Sequence, residues 1–224
     1  MKIVVSVGGS VLARALSPEK FRSYASALKD ISKKNTIFIV TGGGKAARDY
    51  IGAARELGAD EATCDFIGIE VTRLNARLLI AALGDDAYYE PPMNYKEAKN
   101  ASLSGKIVVM GGVTPGQTTD AVSAVLAEYT GADLLINATA IDGVYTSDPK
   151  KNRDAKKFDS MTPQQLIEVV MKTEMVAGAN SPVDLLAAKI IERSNIKTIV
   201  LNGEDPGNIV DAVSGKHKGT VIEK

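Results

Sequence analysis

Ile3-Val-Val-Ser-Val-Gly-Gly-Ser10 runs a short β-branched apolar segment straight into two glycines and a serine. Ile3–Val7 reads as a buried strand, and the glycines read as the turn it delivers. The pattern recurs twice. Thr36–Val40 is a second strand candidate and breaks at Gly42-Gly43-Gly44. Lys106–Met110 is another and ends in Gly111-Gly112. In a parallel sheet, ligands bind at the carboxyl ends of strands. Glycines there let the backbone come close to a ligand and present N–H groups to phosphate oxygens, and a following helix N-terminus adds partial positive charge. A single diglycine turn is better explained by steric need. Three turns at one predicted edge indicate a polyphosphate cleft.

Outward from these turns, strands alternate with helices. Ser17-Pro18-Glu19 starts a helix that runs to about Ser32, with Ser17 as cap. Further helices are expected from about Lys45 to Glu56, over Glu61–Leu83, from Thr119-Asp120 to about Tyr129, after the Thr162-Pro163 cap, over Asp184–Ser194, and from about Asn208 to Ser214. Strands are expected at Ala87–Tyr89 (short), Asp133–Ala138 and Lys197–Leu201, with an edge strand at Thr220–Glu223 and irregular chain from Ile141 to Met161. Nearly continuous apolar strands alternating with helices predict an α/β fold, a three-layer α-β-α sandwich around a mostly parallel sheet. No repeat or low-complexity linker divides the chain. Any division is into two lobes near Glu128–Asp133.

Composition narrows the chemistry. The 224 residues carry 27 basic and 27 acidic side chains, which argues against a broad nucleic-acid footprint. Tryptophan is absent and aromatics are few, so a row of stacking platforms for single strands is not expected. Cys64 is the only cysteine and His217 the only histidine, excluding a disulfide framework and zinc sites built from Cys/His pairs. His217 lies in a glycine-flanked basic turn, where solvation explains it. The N-terminus faintly imitates a signal peptide, but Gly8, Gly9 and Ser10 break its apolar segment. No later apolar run reaches the ~18 residues of a membrane span. A cytoplasmic protein, bound to neither membrane nor nucleic acid, is expected.

Familiar nucleotide motifs fail. Gly42-Gly-Gly-Lys45 lacks the upstream glycine of a Walker A loop, and Ala46 stands where Ser or Thr should bind magnesium. No G-x-G-x-x-G opens a helix, and protein-kinase signatures are missing. Two cations do adjoin the second glycine run, Lys45 and Arg48. A lysine near a helix N-terminus opposes the macrodipole, so a bound anion rationalises it; a solvated pair of either cation with Asp49 is the plainer alternative.

The segments "VGGSVL" (7–12), "TGGGKAARDYI" (41–51), "DFIGIEVTRLNARLLIAAL" (65–83), "MGGVTPGQTTDAVSAVLAE" (110–128), "DGVYTSDPKKN" (142–152) and "DLLAAKIIERS" (184–194) occur in this order. Together they resemble the amino acid kinase superfamily, and within it the archaeal-type UMP kinases, over nearly the whole chain. The resemblance implies transfer of the ATP γ-phosphoryl to UMP with Mg²⁺ held mainly by phosphates and water. It implies an acceptor lobe of about residues 1–130, an ATP lobe of about 131–224, and a homohexamer built from dimers, with the 65–83 helix as a contact. Matched onto this sequence, Gly43, Asp65 and the run Val113, Thr114, Pro115, Gly116, Gln117, Thr118 and Thr119 would contact UMP. Gly9, Ser10, Gly44 and Arg48 would meet the ATP phosphates, Thr139, Tyr145 and Asp148 would line the adenosine pocket, and Asp184 would orient catalytic groups. Asp65 as a plain helix cap, Tyr145 as loop packing and Asp142-Gly143 as a turn are the structural alternatives.

The sequence departs from that pattern at Ser6, where many superfamily members carry a phosphate-bridging lysine. Lys45, delivered by the second glycine loop, is the expected replacement, with Lys189 a weaker one. Ala140 stands where relatives often have asparagine beside the nucleotide. Competing readings are a superfamily kinase acting on an acyl carboxylate, carbamate or isoprenoid phosphate, and a non-catalytic nucleotide-binding protein on the same fold.

Overall fold

The computed structural model describes residues 1–149, 151–174 and 183–224. Five parallel strands form the body of the sheet: β1 (Lys2–Val7), β2 (Thr36–Thr41), β3 (Val108–Met110), β4 (Leu134–Thr139) and β6 (Thr198–Asn202). β5 (Ser160–Met161) and β7 (Thr220–Ile222) extend it, in the order β3-β2-β1-β4-β6-β7-β5. β7 runs antiparallel to β6 and carries β5 at its far side. Thr220–Ile222 is therefore not the edge expected from the sequence; the two-residue β5 takes that place.

The helices are α1 (Gly9–Leu12), α2 (Pro18–Ser32), α3 (Gly44–Glu56), α4 (Glu61–Leu83), α5 (Tyr95–Ala101), α6 (Thr119–Thr130), α7 (Pro163–Glu174), α8 (Leu185–Ser194) and α9 (Gly207–Val213). Their starts follow local chemistry. Ser17, Asp60, Asn94, Thr118 and Asp184 each accept a backbone N–H from the first turn of the next helix. Thr162 and Gln165 cap α7 reciprocally. The sequence gives no clear sign of α1 or α5, which are only 4 and 7 residues long. Ala87–Tyr89 makes a single bridge, Ala87 to Ile107, not a strand. Pro91-Pro92 follows at once and cannot donate to a ladder.

Strand alternation sorts the core into two faces. Ile3, Val5 and Val7 of β1 point to the side packed by α2, α4 and α9, where Tyr24, Leu28, Leu79 and Ile209 are buried. Val4 points to the side packed by α6, α7 and α8, and Ser6 shares its parity. The register is level: Val7 pairs with both Thr41 and Ala138, and Val40 pairs with Met110. All the glycine turns thus leave the sheet at one height. Chain order reverses between β1 and β4, the place where open α/β sheets hold their ligands.

Candidate active site

The first two glycine loops meet backbone to backbone at this reversal point. A Cβ on Gly9 would overlap Gly44 N, and one on Gly42 would overlap Gly9 N. Gly44, at φ 67°, lies against Gly9 O in the left-handed region that glycine tolerates. Gly8 N donates to Ala138 O at 2.9 Å, and Gly42 N to Val7 O at 2.9 Å. Side chains are excluded here because two loops occupy one space. Ser10 lies in the short α1 that follows, and Gly43 caps α3 through backbone alone. Thr139, at the end of β4, lies beside Gly8 and accepts from Gly203 N at 2.8 Å.

The third loop, Gly111–Thr118, is tied down along its length. Thr72 of α4 accepts from Gly112 N at 2.7 Å. Asp65 accepts from Gly116 N at 2.7 Å through one carboxylate oxygen, with Gly116 at φ 78°. Gln117 accepts from the Tyr95 hydroxyl at 3.0 Å. Thr118 gives its hydroxyl proton to Asp184 and takes the Ala121 N–H at 3.1 Å. Val113 packs against the α6–α8 core, Thr114 O accepts from Gln117 N, and Pro115 and Thr119 keep partial exposure. Asp65 is not the helix cap that its position allowed. Asp60 caps α4, and Asp65 faces the third loop. The carboxylate of Asp184 caps α8 at Ala187 N, 3.0 Å away, while holding Thr118.

Beside Asp184 lies a group that sequence reasoning missed. Asp120, in the first turn of α6, accepts from the Ser6 hydroxyl at 3.1 Å and is also hydrogen-bonded to Asn137. Its carboxyl pKa is pushed up to about 7, first by burial of the carboxyl and then by the neighbouring Asp184 charge, against the opposing bonds from Ser6 and Asn137. The residue as a whole keeps some accessible surface, but its carboxyl is enclosed by β1, β4 and α6. Neutral Ser6 is thus the hydrogen-bond partner of a carboxyl whose pKa is raised by burial.

The predicted cations sit on α3. Lys45 is exposed and its ammonium pairs with Asp49 at 2.5 Å, the solvated pair foreseen as the plainer reading. An exposed i,i+4 pair of this kind is worth only about 0.3–0.5 kcal/mol, too little to hold a lysine away from a phosphate. Arg48 is exposed on the same helix. Lys189 is exposed on α8.

On the far side of β4, Asp142 accepts from the Tyr145 hydroxyl at 2.6 Å and from Lys157 at 3.1 Å. Those bonds keep the Asp142 carboxyl below its usual range despite the opposing effect of burial, and the Asp142 bond pushes the Tyr145 hydroxyl up to about 12. The pair thus also fits the turn and loop-packing alternatives. A cavity of about 330 Å³ opens beside Asp148, lined by Thr146, Ser147, Lys151, Asn152, Lys172 and Thr173. Lys150 of the motif at 142–152 lies outside the described residues. No cluster of three or more His, Cys, Asp or Glu suited to a metal occurs among the described residues, and no helix among them is long and apolar enough to cross a membrane.

The sequence profile of the amino acid kinase family matches residues 1–202. A uridylate kinase of Methanosarcina mazei is 61% identical over 216 residues, covering 96% of this chain and 93% of its own. A uridylate kinase of Halobacterium salinarum is 55% identical and covers 99% of this chain and 93% of its own. The crystal structure of uridylate kinase from Archaeoglobus fulgidus superimposes with a TM-score of 0.92 at 52% identity, covering 99% of this chain and 100% of that one.

Proposed function

From the premise that this chain belongs to the amino acid kinase family, we propose that it is a UMP kinase. It transfers the γ-phosphoryl of ATP to the phosphate of UMP, giving UDP and ADP in pyrimidine nucleotide synthesis. The observation that carries the reading is the convergence of the glycine loops at the β1–β4 reversal, coupled to a separately anchored loop on the acceptor side. The near-full-length identity to uridylate kinases supports the acceptor.

The attacking group is a phosphate oxygen, already anionic, so no strong general base is required. Catalysis comes from alignment and from cancelling charge on the group in flight. Gly9, Ser10 and Gly44 offer backbone N–H groups to the ATP phosphates. Arg48 and Lys45 bring positive charge from the first turns of α3, Lys45 leaving its weak pair with Asp49 to do so. Thr139, Tyr145 and Asp148 border the adenosine side. Residues 1–130 form the acceptor lobe and 131–224 the ATP lobe. Asp65 keeps one carboxylate oxygen for the UMP ribose while the other fixes Gly116. Gly43 and Val113–Thr119 close around UMP. Asp184 holds the acceptor loop to the C-terminal half through Thr118.

Magnesium fits this site as an ion bound mainly by phosphates and water, since it commonly needs only one or two carboxylates from protein. Asp120 and Asp184 are the carboxylates gathered at the end of β1. When bound, the ion neutralises charge on the phosphates. We read the protein as acting in the cytoplasm on free nucleotides. We also read it as a hexamer built from dimers, with exposed Tyr50 of α3, Leu57 just after it, and Phe66, Leu74 and Leu78 of α4 as contact surface; light scattering on the purified protein tests the subunit count.

ADP release measured with UMP, CMP, a carbamate, an acyl carboxylate and an isoprenoid phosphate tests the acceptor. Turnover with UMP well above the rest is expected. Nucleotide binding without ADP release would instead mark a nucleotide-binding protein, and faster turnover with a non-nucleotide acceptor would reassign the substrate.

A further inference from the structure

The inward face of α4 carries the buried apolar residues Ile69, Ala76 and Leu79. Two polar residues interrupt it, Thr72 at 7% and Asn75 at 2% exposure. Burying polar groups costs free energy unless they are hydrogen-bonded, and both are bonded largely to loop backbone. The Asn75 side-chain amide donates to Gly42 O at 2.8 Å and to Gly43 O at 3.3 Å. Thr72 Oγ1 accepts from Gly112 N at 2.7 Å while donating to Ile69 O at 2.6 Å. Thr41 Oγ1 adds a bond to Thr72 O at 2.9 Å.

One rigid helix therefore grips the second and third glycine loops at points about 4.5 Å apart along its axis. The partners are backbone groups, so an apolar residue at either position would leave a buried loop group without its partner, at a cost of about 1–3 kcal/mol. It would also no longer fix where the loop carbonyls and N–H groups point.

We propose that Thr72 and Asn75 are positioning residues that set the separation of the two loops, and with it the distance between the transferred phosphoryl group and its acceptor. The proposal rests on the reading that these loops hold the nucleotide phosphates. Neither side chain touches substrate; each acts through the loop it holds.

The pair Thr72→Val and Thr72→Ser separates shape from hydroxyl. Thr72→Val should lower kcat about tenfold or more, because small misplacements of reacting groups are costly. Dissociation constants for ATP alone and UMP alone should stay within about threefold, since each loop remains present. Thr72→Ser should restore kcat to within about threefold. A folded Thr72→Val enzyme with wild-type kcat, or one in which only KM rises, overturns the proposal. If Thr72→Val does not fold, Asn75→Ala is judged on the same split between kcat and binding, and failure of both to fold overturns it in favour of a purely structural role. Hydrogen exchange on the wild-type enzyme tests the underlying reading separately. Amides of 42–45, 111–114 and 116 should gain protection with ATP and UMP. Absence of protection refutes phosphate binding by the loops, whatever Thr72→Val does.

Discussion

Two regions flank the end of β1 and solve the same problem in opposite ways. On one side, the Gly8–Ser10 and Gly42–Gly44 loops are held by the absence of side chains, glycine backbone lying directly on glycine backbone. On the other, Ser6, Asp120, Asn137, Thr118 and Asp184 are held by side-chain hydrogen bonds between α6, α8 and the sheet. The first region offers N–H groups and nearby cations to an anion. The second is carboxylate-rich and would repel a bare phosphate. On the proposed reading a phosphoryl group belongs on the glycine side, with side-chain positive charge brought by α3, because β1 itself points Ser6 towards the acids.

The most severe way to break this contrast is to add one carbon where the backbones touch. Gly9→Ala places a Cβ on Gly44 N, and neither backbone can yield cheaply. Activity should fall by at least ~100-fold, and thermal melting should shift down in step with an overpacking cost of about 1–3 kcal/mol. An active, wild-type-stable Gly9→Ala protein would show that the two loops do not pack this way.

Next in size is Lys45→Ala, with an expected kcat loss of about 100-fold, in keeping with removal of a main charge-stabilising contact. Stability should hardly change, since only an exposed pair with Asp49 is lost. Wild-type kcat in the folded variant would take Lys45 out of the mechanism.

Asp65→Ala should raise KM for UMP about tenfold or more while leaving KM for ATP nearly unchanged, the magnitude of a charged hydrogen bond. Equal effects on both nucleotides would indicate that Asp65 only orders the Gly116 turn.

The smallest effect concerns pH. The Asp120 pKa is raised in the folded protein to about 7 from the ordinary 3.8, so the folded state binds more protons than the unfolded state between those values. Stability is thus highest at the acid end of that window and falls as pH rises through it. Asp120→Asn should flatten this slope and melt higher than wild type at pH 8, by roughly 2–4 °C for each kcal/mol recovered. An unchanged slope in melting temperature would mean that the carboxyl is not protonated near neutrality.

The fold was readable because its main signals are local. Apolar strands stopping at glycines, and caps such as Ser17 and Thr162, each act within a few residues. Short elements were not readable: α1 and α5 lack the length for a periodic pattern, and tertiary contacts hold them. The glycine loops announced themselves for the same reason the strands did. Asp120 did not, because an acid in a first helical turn usually only complements the macrodipole, and its partner Ser6 lies 114 residues away in sequence. Thr72 and Asn75 left one usable trace, two polar residues three apart on the buried stripe of an apolar helix.

Where the positive charge reaches the transferred group is most directly measured in a crystal structure with UMP and a non-hydrolysable ATP analogue bound. Lys45 should be released from Asp49, with its ammonium within hydrogen-bonding distance of the γ-phosphate. Lys45 still paired with Asp49, and a different cation on that phosphate, would contradict it.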